Sequence, residues 1–332
     1  MQYINIQSAI EKLLQNEIVA IPTETVYGLA GNIHSEKAIN NIFKTKNRPI
    51  DHPLIVHIPI NFDIEKYAKI NNIAEKIISK YWPAPLTLVL PKTKYVNYLV
   101  TGKQETVALR CPQHNISQEI LQGVNSGIAA PSANKFGYIS PTKASHVYDE
   151  FEDENFGIVD GGECEIGIES SIVMINCDNT ISILRKGMFD INILQEIADI
   201  KENLIQSKVS GALLSHYSPI NPLIMINNND LLQKIDSKQI NLLENFFIIF
   251  QSTADILNIK LENNILILPN NPNQVAKIIY DYLRIADNFN NKNNLKCIYL
   301  EQIPNNIQWA AIKDRLEKAS YNTANIIKGE KI

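Results

Sequence analysis

Residues 42–58 read IFKTKNRPIDHPLIVHI. Ala38, Ile39, Ile42 and Phe43 lie just before and inside this stretch at helical spacing, and Ser35 is placed to cap the helix they stripe. The helix must stop at KTKNRP, because Pro49 disfavours helical backbone in the residue before it. The run Pro53-Leu-Ile-Val-His-Ile that follows is continuously apolar, the pattern of a strand covered on both faces. Helix, cationic loop and buried strand in immediate succession predict an α/β fold.

Working outward, the same alternation extends to about residue 190. IVAIP, LTLVLP, TVALRCP, GIAAPS, FGIVDGG, SIVMIN and ISILRKG are the other candidate strands. Ile70, Ile73, Ala74, Ile77, Ile78 and Tyr81 mark a second helix with a core-facing stripe. Residues 21–32 are expected to form a loop after a strand. Residues 202–222, ENLIQSKVSGALLSHYSPINP, are mixed and carry Gly211 and two prolines, and they read as a linker. Beyond them PLIMIN, FFIIFQ, NILILP and LKCIYLEQIP alternate with a helix striped by Val275, Ile278, Ile279, Tyr282, Leu283 and Ala286. That is the pattern of a smaller doubly wound unit. The expected division is residues 1–200, a linker or flap over 201–221, and a second α/β domain over 222–332.

A length of 332 residues suits two domains. The net charge of −4 and pI of about 5.9 give no global basic footprint for nucleic acid. Cys111, Cys164, Cys177 and Cys297 show no CxxC spacing, which fits a reduced cytoplasmic protein without a zinc knuckle. The N-terminal stretch carries acidic residues and is not read as a signal peptide. No apolar run approaches the roughly 18 residues of a membrane helix.

Three cations within five residues, Lys44, Lys46 and Arg48, are ordinarily a solvated face. Other loops argue against that. IPTETVYGLAGN (21–32) is rich in hydroxyls. APSANKFGYISPT (130–142) puts Ser132 and Asn134 on one face of an extended segment. DGGECEIGIESSIV (160–173) brings two serines into a strand, and ILRKG (183–187) ends a strand with two cations. Such loops, clustered at the strand ends of one sheet, make an anion-binding concavity. Neither GxGxxG nor GxxxxGK[ST] occurs, so the usual nucleotide fingerprints are missing.

In order and spacing, PTETVYGLAGN, KTKNRPIDHPLIVHI, WPAPLTLVL, VALRCP, APSANKFGYISPT, IVDGG, ESSIV and ILRKG resemble the YrdC-like domain of threonylcarbamoyl-AMP synthases. The resemblance spans roughly residues 10–190. SHYSP followed by a small α/β unit is similar to the two-domain form of that family. It implies a twisted mixed sheet with a concave basic site, and the synthesis of threonylcarbamoyl-AMP and pyrophosphate from L-threonine, bicarbonate or CO2, and ATP. The product would pass to a separate transferase that modifies adenosine 37 of ANN-decoding tRNAs. Mg²⁺ would come with ATP, since no carboxylate cluster suggests a protein cage.

Residue by residue, the resemblance implies that Lys46 and Arg48 hold phosphates, with Ser132 and Asn134 completing the reacting centre. It assigns Thr106, Ser132, Ser140, Arg185 and Tyr217 to ATP. It assigns His52 to ATP as well, standing where the family often has Asn beside the nucleotide, so that the contact it makes is open. It assigns Thr25, His57, Arg110 and the backbone of Ala130 to threonine, together with Ser171, Ser170 being the alternative one residue away. Tyr217 is expected on a flap over residues 205–220 that closes over the site. A non-enzymatic RNA-binding module is the rival reading, disfavoured by the acidic pI. His34, His114 and His146 are expected at the surface or in caps, and Trp82 and Trp309 in the core.

Overall fold

Asn5 caps the first helix by accepting a hydrogen bond from the Ser8 amide, and Ser35 caps the second in the same way through Ala38. In the computed structural model, residues 1–201, 215–258 and 263–328 are described. They fall into two units: Met1–Phe136 with the described residues from Ser140 to 201, and Gly137–Ile139 with those from 215 onward.

The first unit has helices α1 (Ile6–Leu14), α2 (Glu36–Thr45), α3 (Asn72–Tyr81), α4 (Tyr98–Thr101), α5 (Asn115–Val124) and α6 (Ala144–Glu150). Its strands are β1 (Gln2–Tyr3), β2 (Val19–Ile21), β3 (Gly28–Asn32), β4 (Ile55–His57), β5 (Leu86–Pro91) and β6 (Thr106–Arg110). They continue with β7 (Ile128–Ala129), β8 (Gly157–Ile158), β9 (Ser171–Ile175), β10 (Ile181–Arg185) and β11 (Ile200–Lys201). All eleven join one mixed sheet, in the order β1-β8-β2-β3-β7-β4-β6-β5-β9-β10-β11.

Because alternate strand residues face opposite ways, the apolar runs supply two cores. Val19, Ile21, Ala30 and Ile128 meet Ala9 and Leu13 of α1 and Ile120, Leu121 and Val124 of α5. Ala20, Leu29, Val56, Leu88 and Leu109 meet Ile39, Ile42 and Phe43 of α2 and Ala74 and Ile77 of α3. The expectation of a sheet covered on both faces therefore holds.

One reading needs correction. Residues 28–32, read as part of a loop, are strand β3, antiparallel to both β2 and β7. GLAGN has weak strand propensity, but its neighbours impose the pairing. Gly31 also lets α2 lie close, since a Cβ there would sit 2.9 Å from Ile42 Cδ1 and 3.3 Å from Ala38 Cβ. The two-residue edge strands β1 and β11 were not anticipated either.

In the second unit, β12 (Leu223–Ile226), β13 (Phe246–Phe250), β14 (Ile265–Leu268) and β15 (Ile298–Glu301) coincide with the four apolar runs. They form an all-parallel sheet ordered β12-β15-β13-β14. The helices are α7 (Asn228–Asp236), α8 (Gln251–Ile256), α9 (Pro272–Asn293) and α10 (Ala310–Lys328). Gly137–Ile139 belongs here although it sits in the middle of the first unit's sequence. Ser218 donates its amide to Gly137 O (2.9 Å), Tyr138 bridges to Ser218, and the Arg284 side chain donates to Ile139 O.

Candidate functional site

The basic loop owes its geometry to the way α2 ends. Asn47 takes a left-handed conformation (φ 50°), and the Arg48 amide reaches back to Phe43 O (2.9 Å). This ending satisfies the last carbonyls of the helix and sets the side chains that follow. Lys46 and Arg48 are both buried, at 1% and 6% exposure, while Lys44 is exposed. The Lys46 ammonium donates to the carbonyl oxygens of Ser132 and Asn134. The Lys–Arg pair and the Ser-x-Asn loop, far apart in sequence, are thus joined at one atom. Burial, then the charge of Arg48, lowers the Lys46 pKa to about 7, with Glu150 opposing. The Arg48 guanidinium donates to Pro53 O (3.0 Å) and lies 5.3 Å from the centre of the Phe136 ring. His52 meets the same ring edge-on at 5.1 Å. Phe136 was missed from sequence, where it reads as a loop aromatic.

The residues assigned to threonine converge through strand register. His57 is the neighbour of Arg110 across β4 and β6, and Thr87 the neighbour of Arg110 across β5 and β6. Ser171 is opposite Leu86, one residue before Thr87. Thr25 is fully buried, its hydroxyl 2.9 Å from that of Thr23. Ala130 is buried and donates its amide to Ile55 O (3.1 Å). Burial, reinforced by the charge of Arg110, lowers the His57 pKa to about 3, against the backbone groups of Ile55 and Ile128, so the ring is neutral. The Arg110 guanidinium is 2.7 Å from the Glu24 carboxylate, with the side chains 4% and 2% exposed. Sequence reading missed Glu24, which it treated as one letter of a hydroxyl-rich loop.

A third cluster gathers on β9 and β10. Arg185 donates through Nε to Ser170 O (3.0 Å) and through its terminal nitrogen to Ser170 Oγ (3.1 Å). Ser170 Oγ is also 2.8 Å from Thr87 Oγ1. Ser171 Oγ donates to Phe189 O (3.2 Å) and accepts from the Gly187 amide (3.1 Å). Ser140 donates to the buried Glu169 carboxylate at 2.5 Å, a partner not anticipated from sequence.

Gly187 makes this packing feasible. A Cβ there would lie 2.4 Å from Ser171 N and 2.7 Å from Glu169 O, both backbone atoms. Gly187→Ala is therefore expected to destabilise the fold by about 1–3 kcal/mol. A thermal melt indistinguishable from that of the unmutated chain would show that the strand ends separate freely.

Thr106 begins β6 opposite Pro91 and two residues before Ala108, the neighbour of Ile55. Pro53, two residues before Ile55, is the residue whose carbonyl accepts from Arg48, so Thr106 lies toward the Arg48 end of the strand, roughly 13 Å from Arg110 by strand rise. Tyr217, expected on a mobile linker, is 1% exposed in the second unit. Its ring stacks on Tyr280 (5.8 Å), with His216 at 4.1 Å and the Arg315 guanidinium at 5.3 Å. Gly211 and the earlier part of the expected flap lie outside the described residues. His114 caps α5, its Nδ1 accepting from the Ser117 amide.

Both halves of the chain have known relatives. The Sua5/YciO/YrdC family model, described as "Telomere recombination", matches residues 11–187. These matched residues and the strand-end loops above define the YrdC-like class. A second model, "Threonylcarbamoyl-AMP synthase, C-terminal domain", matches residues 187–320. The threonylcarbamoyl-AMP synthase of Pyrococcus abyssi is 37% identical over 241 residues, 67% of this chain and 71% of that protein. That of Bacillus subtilis is 38% identical over 234 residues, 66% of this chain and 65% of its own length. The crystal structure of P. abyssi Sua5 complexed with L-threonine aligns with a TM-score of 0.81 at 29% identity, covering 97% of this chain and 98% of that one. A P. abyssi Sua5 variant with a histidine–tyrosine pair changed to alanine aligns equally well, at TM-score 0.81 and 29% identity, covering 96% and 93%. The chain belongs to the threonylcarbamoyl-AMP synthase family, in its two-domain form, and is an enzyme of that kind.

Proposed function

We propose that the three clusters divide one reaction among them. Arg110, Thr25, His57 and the backbone of Ala130 take L-threonine, with one of Ser170 and Ser171. Lys46, Arg48, His52, Thr106, Ser132, Asn134, Ser140 and Arg185 take ATP. Threonine's amine captures CO2, supplied as such or from bicarbonate, to give a carbamate. A carbamate oxygen then attacks the α-phosphorus, and pyrophosphate leaves. Such a step depends on positioning and charge neutralisation more than on a protein nucleophile. The observation that carries this reading is the Lys46 ammonium held between the carbonyls of Ser132 and Asn134. It draws the cationic loop and the Ser-x-Asn loop into one anion-seeking centre. The neutral His57 suits a hydroxyl or amine neighbour rather than a phosphate.

Among the described residues, no group of three or more His, Cys, Asp or Glu side chains is placed to hold a metal ion. On this reading Mg²⁺ would arrive on the ATP phosphates, where it would neutralise developing charge. His–Tyr occurs once in this chain, at His216–Tyr217, the residue types altered in the P. abyssi variant. On this reading Tyr217 serves the nucleotide side. The product would go to a separate tRNA-modifying transferase, in the cytoplasm. No described helix is long and apolar enough to cross a membrane.

The test is incubation with ATP, threonine and bicarbonate, following pyrophosphate release and the adenylate by mass spectrometry. Arg48→Ala is expected to lose about 100-fold or more of the rate, since a preorganised charged donor contributes that much. Lys44→Ala should change it less than twofold. Equal rates in both variants would remove Arg48 from the phosphate site. Salt-dependent tRNA binding with no pyrophosphate release would favour an RNA-binding module instead.

A further inference from the structure

We propose that Glu24 receives the ammonium group of threonine beside Arg110 and accepts its proton as the carbamate forms. The inference rests on the reading that Arg110 holds the threonine carboxylate.

Glu24 and Arg110 form a buried pair 2.7 Å apart. Yet neither carboxylate oxygen takes part in a hydrogen bond of good geometry among the described residues, and Arg110 Nε and the nitrogen facing Glu24 are in the same position. A buried ion pair whose remaining lone pairs and protons are unmatched is a poor source of stability, because desolvation offsets the attraction. Its charges do match an α-amino acid. The zwitterion carries a carboxylate and an ammonium on one carbon, in reach of a guanidinium and a carboxylate side by side. Thr25 follows Glu24 directly, and its hydroxyl lies in the same loop.

The nitrogen must lose protons before it can bond to carbon. An ammonium N–H bond breaks and its proton passes to a Glu24 oxygen. The freed lone pair forms the N–C bond to CO2, one C=O π pair moves onto oxygen, and the second ammonium proton leaves to solvent. The products are the carbamate and two protons, one of them on Glu24. The other titratable groups around Arg110 are unsuited to this. Burial holds Cys111 and Cys164 protonated, with pKa values raised to about 11 and about 12. His57, lowered to about 3, is a weak base. Burial lowers His114 as well, and its Nδ1 is occupied in the α5 cap.

The probes are L-threonine and (R)-3-hydroxybutanoate, which keeps the carboxylate, hydroxyl and methyl but lacks the amine. Calorimetry without ATP should show the unmutated chain preferring threonine by about 10- to 100-fold, the worth of a hydrogen bond to a charged group. Glu24→Gln should bring that ratio to near one while the hydroxybutanoate binds as well as before. A merely structural Glu24 would weaken both ligands in proportion and leave the ratio intact, and that result overturns the proposal. Should the glutamine variant fail to fold, Glu24→Asp carries the test: its withdrawn charge should reduce the ratio without abolishing it, and an unchanged ratio is again fatal. Pyrophosphate release by the unmutated chain is read separately. If it occurs with no amine preference in binding, Glu24 loses its role and the parent reading stands. If it does not occur, the parent reading fails whatever the ratio.

Discussion

Lys46→Met is expected to slow pyrophosphate release by about 100-fold or more, while the chain still melts cooperatively. The substitution keeps most of the stem's volume but removes the ammonium that joins Ser132 O to Asn134 O. Both the charge offered to the phosphates and the shape of the Ser-x-Asn loop go with it. A stability signature accompanies the loss. The folded pKa of about 7 lies below the ordinary lysine value of 10.5. Between these two values the unfolded chain holds a proton on Lys46 that the folded chain does not, so the contribution of Lys46 to stability rises with pH across that window. That rise is read between about pH 7 and 8.5, below the range where the buried Cys111 and Cys164 thiols act in the opposite sense. The slope is at most about 1.4 kcal/mol per pH unit. In Lys46→Met that rise should vanish. ATP binding near pH 8 should also be accompanied by proton uptake in the unmutated chain, since a neighbouring polyphosphate favours the charged amine. Calorimetry in buffers of different ionisation enthalpy reads the uptake directly. A Lys46→Met chain with a normal rate, or with the same pH slope, would remove Lys46 from the centre.

Arg110→Met should destabilise the fold by about 3–5 kcal/mol, because Glu24 is left buried without its counter-charge. The double variant Arg110→Met/Glu24→Gln should recover most of that loss, since removing both charges removes the desolvation they cost. Neither variant should release pyrophosphate in response to threonine. Denaturant melts of the two chains measure the difference. If the double variant is no more stable than the single one, the two side chains are not energetically coupled.

Much of this was legible in the sequence, where a local rule decided the outcome. Ser35, Pro49 and the stripe of α2 mark a helix between two stops, and continuous apolar runs mark strands hidden on both faces. The second unit was read almost strand for strand, because a parallel sheet leaves its period-free apolar signature in every strand. What escaped was decided by partners distant in the chain. GLAGN has no strand signal of its own, and β2 and β7 recruit it. Glu24 becomes interesting only when β6 brings Arg110 against it. Phe136 matters because Arg48 and His52 arrive on the same ring. Tyr217 sits in a stretch with linker composition, and nothing local announces that Tyr280 and Arg315 enclose it.

Three residues in the middle of the first half, Gly137–Ile139, are bonded to Ser218 and Arg284 of the second unit. A consequence falls on anyone who would recombine this chain with a relative. No single crossover point separates the two halves. A chimera joined in the linker inherits a loop tip from one parent and its seat from the other, and that tip lies between Asn134 and Ser140. Successful grafts should therefore be those that carry 137–139 along with the C-terminal half, as a passenger exchanged at a second pair of cuts.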